Sequence, residues 1–236
     1  MRLFAQVAVV GVMLAGATRA EAQLPSVQQV YDKFATAVGG RAAWKPVTGR
    51  TEKGTADITF AGMSGSYERY NALPNKMRMI IDIGVVKIDQ GFDGQQGWMS
   101  QGQGVQPMPA EQAKQMAESV PDGAAFLDPT RYAKAEVVGK EAFDGIDAYK
   151  LAITMKSGQE SVEFFDVASG LRIGAINKTP AGEVRVTYRD YKEFEGKRVA
   201  TKVIQGTAQG DVVLNIQAVS FGTPDATVFK APSGGE

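Results

Sequence analysis

The chain has 236 residues, with 26 basic side chains balanced by 26 acidic ones, and 44% of it is apolar. That balance gives it no electrostatic reason to seek nucleic acid or anionic lipid heads, and the length fits one large domain with an ordinary core. It has neither Cys nor His, which excludes disulfides, Cys lipidation, Ser-His-Asp or Cys-His catalysis and the imidazole ligands of most zinc enzymes.

The first residues read "MRLFAQVAVVGVMLAGATRAEAQLP". A basic start at Arg2, an apolar run from Leu3 to Ala17 and the small-x-small pattern Ala20-Glu21-Ala22 are laid out as a secretory signal peptide. The run is shorter than the roughly 20 residues of a spanning helix. We therefore expect residues 1–22 to be removed and residues 23–236 to form a single exported domain, periplasmic and not lipid-anchored. Losing Arg2, Arg19 and Glu21 leaves 24 basic and 25 acidic residues, a net charge of −1.

The stretch "PSVQQVYDKFATAVGG" places Val27, Val30, Tyr31, Phe34 and Val38 on one face of a helix. Ser26 and Gln29 are spaced as a capping box, and Gly39-Gly40 supplies the stop. From Thr48 to about Ser100 the apolar period changes to two, in short strands broken at Gly62, Gly65, Leu73-Pro74, Gly84 and Asp93-Gly94. In one of them Met77, Met79, Ile81 and Ile83 project to one side, with Arg78, Ile80 and Asp82 on the other.

A loop, "QGQGVQPMP", leads into a second helix from Ala110 to Val120, begun by Pro109 and carrying a thin stripe of Ala113, Met116, Ala117 and Val120. The segment "PDGAAFLDPTRY" reads as irregular. Strands resume in "AYKLAITMKSGQESVEFFDVASGLRIGAINK" and in "EVRVTYRDYKEFEGKRVATKVIQGTAQGDVVLNIQAVSFG", three in each. Val184, Val186 and Tyr188 face one way and Arg185, Thr187 and Arg189 the other. Connections of hairpin length imply antiparallel neighbours. The expected fold is mainly β (α+β): a single curled antiparallel sheet forming an incomplete β-barrel, with helices as a lid.

Several phrases, in this order, resemble the periplasmic outer-membrane lipoprotein-sorting (LolA/LolB-like) superfamily. They are "GGRAAWKPVTGRTEKGT", "LPNKMRMIID", "GFDGQQGW", "FFDVASGLRIGAINK", "YRDYKEFEGKRVATKVI" and "TPDATVFKAP", running from about Ser26 to Pro232. The resemblance implies a half-open barrel around a hydrophobic cavity that accepts acyl chains. Where those carriers place Arg before the Pro that opens the equivalent strand, this chain has Leu73, so the resemblance carries the cavity and not the named cargo.

Methionine is concentrated between Met63 and Met116, beside the expected lid, whereas the C-terminal strands use Val, Ile and Leu. Pliable thioethers suit a mouth that re-packs around variable guests, and branched residues suit a closed end. The expected cavity lining is Met63, Met77, Met79, Ile81 and Phe92, with Trp98, Met99, Met116 and Phe126. For each one singly, plain core is the competing reading.

Asp93-Gly94 is a turn before it is a catalytic group, and no nucleophile motif, calcium loop or spaced carboxylate pair is present, so no enzyme activity, metal or cofactor is expected. The expected function is a monomeric carrier or binder of a lipid or lipid-modified protein, with an envelope membrane protein as a further partner and no nucleic acid. The alternative is a sensing or protein-interaction module of the same fold. The expectation depends on a dry hollow that the sheet's own side chains leave unfilled.

Overall fold

In a computed structural model of the protein, residues 23–101, 104–118, 126–179 and 182–232 are described. The expected signal segment and Val120 of the second helix lie outside them. Among the described residues, no helix is long and apolar enough to cross a membrane.

The first helix, α1, spans Val27–Ala37. The Ser26 hydroxyl accepts from the Gln29 N–H (3.2 Å) while the Gln29 side chain accepts from the Ser26 N–H (2.8 Å), a reciprocal capping box that satisfies two otherwise orphaned donors. Gly39 and Gly40, both at positive φ, end it. A four-residue turn, α2 (Arg41–Trp44), follows and delivers Trp44 into the core.

Thirteen strands form one antiparallel sheet. They are β1 (Gly49–Ile58), β2 (Met63–Ala72), β3 (Lys76–Asp82), β4 (Lys87–Phe92), β5 (Gly97–Gln101), β6 (Val105–Pro107), β7 (Tyr132–Phe143), β8 (Ile146–Met155), β9 (Glu160–Asp166), β10 (Arg172–Thr179), β11 (Gly182–Phe194), β12 (Lys197–Thr207) and β13 (Gly210–Phe221). The spatial order is β6-β5-β4-β3-β2-β1-β13-β12-β11-β10-β9-β8-β7. The chain therefore lays down one arm by hairpins (β1 to β6), and α3 (Ala110–Ala117) follows. It then restarts at the far edge and works back by hairpins until β13 pairs with β1.

The mainly β, antiparallel, single-sheet architecture with few short helices is as the sequence indicates. The sheet is neither closed into a barrel nor strongly curled: β6 and β7 remain open edges, and side chains of β3 and β10 line one hollow. Two strands also stand outside the sequence reading. β7 falls in a segment read as irregular and unassigned, and β6 in one read as a loop.

Alternation sorts residues to two faces. On the inner face lie Tyr67, Arg69 and Asn71 of β2, facing Ile81, Met79 and Met77 of β3 in register. Of these, Tyr67, Ile81 and Met79 belong to the main core, with Val212, Leu214 and Ile216 of β13 and Val203 of β12. That core is closed by α1 and α2. Phe34 meets Phe165 (5.3 Å between ring centroids) and Phe126 (5.7 Å), and Trp44 meets Phe126 (6.1 Å) and Phe221 (5.5 Å), mostly edge to face. The Trp44 indole N–H donates to the Val38 carbonyl at 2.9 Å, so its one polar group is satisfied where it is buried.

β1 carries a bulge between Lys53 and Gly54 against β13. A Cβ on Gly54 would lie 2.0 Å from the Asn215 carbonyl oxygen, so this approach of two backbones requires glycine.

The outer face has its own small cluster, Phe143, Ala148, Phe164 and Ile173. At the other arm the C-terminal turn, Ala226–Phe229, covers the outer side of β3. There Arg78 donates to both carboxylate oxygens of Asp89 (2.9 and 2.6 Å) and to the Val228 carbonyl (2.8 Å), with its guanidinium over the Trp98 ring. Hydrogen bonding to Asp89 raises the Arg78 pKa further above its ordinary value.

Candidate ligand-binding site

Two hollows open on the inner face. The larger, about 410 Å³, lies between α3 and strands β7 to β11. Its apolar wall is Met77, Met116, Ile153, Met155 and Ala175, from β3, α3, β8 and β10. Its polar wall is Gln159, Ser161, Glu163, Arg172 and Asn177, joined at the rim by Gln112, Gln115, Glu118 and Arg131. Tyr132 and Tyr188 contribute amphipathic rings. The smaller hollow, about 300 Å³, crosses the middle of the sheet and shares Arg172, Asn177 and Tyr188 with the first. Both sizes fall at the lower end of the roughly 300–1,000 Å³ of small-molecule pockets.

The smaller hollow has an ionic floor. Arg50 and Glu52, neighbours in alternation on β1 and both buried, pair at 2.8 Å. The buried Tyr67 hydroxyl donates to the second Glu52 oxygen at 3.1 Å, and Arg69 stands beside Glu52 across the β1–β2 register. Arg172 reaches in from β10, donates to Glu163 at 3.0 Å and stacks its guanidinium on Tyr188, 4.3 Å from the ring centroid. Burial and the nearby Glu52 carboxylate push the Tyr67 phenol well above its ordinary range. Burial, with Glu163 beside it, pushes Tyr132 up to about 12. Both stay neutral hydrogen-bonding groups over the whole physiological range.

The roof is α3. Its buried side is held by a cluster separate from the main core: Met77, Phe92, Met108 and Met116, with Ala113 and Ala117 against it. Past its last turn, Glu118 reaches the β8–β9 turn and accepts from the Ser157 N–H (2.8 Å) and hydroxyl (2.5 Å). Its carbonyl accepts from Arg131 at 2.5 Å. The helix thus spans the mouth, packed on β3 to β5 at one side and tied through Glu118 to Arg131 and the β8–β9 turn at the other.

The residues singled out from sequence are dispersed. Met77 and Met116 line the larger hollow. Phe92 is buried with them under α3, and half-buried Met79 touches both that cluster and the main core. Met99 is half-buried on β5. Ile81 and Phe126 belong to the main core, the latter among Phe34, Trp44 and Arg41. Trp98 pairs in register with Gly91 and lies beneath Arg78 on the opposite face. Met63 is 37% exposed at the start of β2.

The sequence reading missed the polar lining. The lining is partly ionic: Arg50, Glu52, Arg69, Glu163 and Arg172 contribute to it. The signal was in the alternation, since Arg69 shares its side with Tyr67 and Asn177 with Ala175. Among the described residues, no group of three or more Asp and Glu is placed to hold a metal ion.

No protein-family model matches the chain, and no curated protein matches its sequence. Solved structures do match its fold. A DUF1329 family protein from Desulfovibrio piger superposes with a TM-score of 0.57 at 14% identity, over 86% of this chain and 99% of that one. A LolA superfamily protein from Nitrosomonas europaea gives 0.54 at 14% identity, over 88% and 98%. An outer membrane lipoprotein-sorting protein domain from Vibrio parahaemolyticus gives 0.52 at 14% identity, over 83% and 92%. With one open antiparallel sheet roofed by short helices and matched along nearly its whole length, the chain has the LolA-like fold.

Proposed function

We propose that the protein is an exported, periplasmic binder or carrier of a lipid-like ligand, with the hydrocarbon held beneath α3. One observation carries the reading. The larger hollow is walled on one side by Met77, Met116, Ile153, Met155 and Ala175 and is roofed by a short helix on a cluster of its own. Thioethers re-pack around guests of varied shape, and a roof outside the main core opens at a lower cost than the sheet. Each methylene withdrawn from water contributes about 0.8 kcal/mol, against which stand the entropic costs of association. The LolA-like fold supports this reading at the level of architecture.

Native mass spectrometry of gently purified protein tests it, together with uptake of a fluorescent fatty-acyl probe by delipidated protein. The expected result is co-purifying lipid and saturable uptake at one site, lost in Ala175→Trp, which fills the hollow from the buried face of β10. Uptake that is absent in the parent, or unchanged in a folded Ala175→Trp variant, would sink the reading.

A further inference from the structure

The geometry points to an anionic ligand head, a carboxylate or phosphate ester held by the guanidinium groups where the two hollows meet. This rests on the acyl-binding reading above and extends it to the class of ligand. Three guanidinium groups, Arg50, Arg69 and Arg172, line the smaller hollow with a single carboxylate, Glu52. Taking both hollows together, Arg131 adds a fourth cation, and Glu118 and Glu163 bring the carboxylates to three. Among the described residues, the lining therefore carries one excess positive charge. Guanidinium groups do not deprotonate in proteins, so the site cannot shed that charge by titration.

The placement of this charge matters as much as its sign. Arg50 is 4% exposed, and the Arg172 side chain is 14% exposed. Each already has a carboxylate beside it, Glu52 for Arg50 and Glu163 for Arg172, and one further anion would balance the lining as a whole. Arg172 is shared by both hollows, at the junction between the methionine-walled space and the ionic floor. Tyr188 and Asn177 share both hollows with it and Gln205 lines the smaller one, adding neutral polar groups suited to oxygen acceptors. A ligand lying with its hydrocarbon against Met77, Met116 and Met155 would bring its head to Arg172, facing Arg69 and Arg50. The planar fork of a guanidinium matches carboxylate and phosphate oxygens two at a time.

The test compares dodecanoate, methyl dodecanoate and acetate as ligands of the delipidated full chain, by titration calorimetry below micelle-forming concentrations. Dodecanoate is expected to bind at least about tenfold more tightly than its methyl ester, the equivalent of one charge-assisted hydrogen bond. Acetate should compete only weakly. Arg69→Gln and Arg172→Gln should bring the ratio of the two affinities toward one, and Arg172→Lys should restore part of it, with circular dichroism checking that each variant folds. Equal binding of dodecanoate and its ester by the parent protein would overturn the anionic head and leave acyl binding standing. Binding of neither would overturn both. Acetate competing as well as dodecanoate would overturn it in favour of a small-anion site that does not read the chain.

Discussion

Glu118, one residue beyond α3, holds both hydrogen-bond donors of Ser157 in the β8–β9 turn, the N–H at 2.8 Å and the hydroxyl at 2.5 Å. The two residues are 39 apart in sequence, and Glu118 lines the larger hollow. Their contact is what ties the roof shut. Bonds to a carboxylate are worth about 1.5–3 kcal/mol each. Glu118→Ala should therefore increase the rate of amide exchange in α3 by at least about tenfold, with Ser157→Ala producing a smaller change in the same direction. Exchange mass spectrometry resolves this helix. Unchanged protection in Glu118→Ala would mean that the methionine cluster alone holds the roof.

That cluster makes its own prediction. Met116 is buried with Met77, Phe92 and Met108, apart from the main core. Met116→Ala should cost about 2–5 kcal/mol locally. Because the loss falls on a satellite cluster, α3 should lose protection while the urea midpoint of the sheet moves little. A matching fall in both would show that roof and sheet unfold as one unit.

The Arg50–Glu52 pair should behave as a buried ion pair does. Removing one partner strands the other charge, so Arg50→Met should destabilise the fold by about 3–5 kcal/mol, whereas the double variant Arg50→Met/Glu52→Met should recover most of that loss. The difference is measured by urea denaturation of both variants. A double variant no more stable than the single one would show that Tyr67, which donates to Glu52, and not Arg50, dominates the site.

The bulge at Gly54 leaves no room for a side chain, since the Cβ would stand 2.0 Å from a backbone oxygen of β13. The obstacle is backbone and cannot swing away. Gly54→Ala should cost at least the roughly 1–3 kcal/mol of ordinary overpacking, read as a lower thermal midpoint. An unshifted midpoint would place the two strands farther apart than described.

Alkaline pH should unfold the protein. Burial holds Tyr132 up to about 12, and Tyr70, also hydrogen-bonded to Glu68, up to about 12. Tyr31 and Tyr67 are pushed higher still by burial. The neutral phenol is the form the fold favours. These groups therefore contribute their full stability below the ordinary tyrosine pKa near 10, and lose it as pH rises from there through about 12. Tyrosinate absorbance should rise in two stages, the second coinciding with loss of the circular dichroism of the sheet. A single early rise with the sheet intact would contradict the burial of these rings.

Much of this protein is local in origin and legible as such. The capping box of Ser26 and Gln29, the stripe of α1, the turns at Gly62, Asp93-Gly94 and Gly158, and the opposed faces of Arg185 and Val186 follow from backbone preferences and periodicity within a few residues. β7 escaped because it is an open edge. Its charges, Lys134, Glu136, Lys140 and Glu141, guard an unpaired strand and so obscure the apolar alternation by which strands are read.

Only the tertiary structure decided which methionines meet the hollow and which face receives Trp98, and that Arg50, Arg69 and Arg172 converge. Alternation gives each strand two faces but cannot say which face of β2 will lie opposite which face of β10, more than a hundred residues away. The closing of the sheet's middle, where β13 pairs with β1, settles that. It brings charges that each look like ordinary surface residues in the sequence into one enclosed space, where their mutual proximity and poor hydration give them a meaning that no local pattern carries.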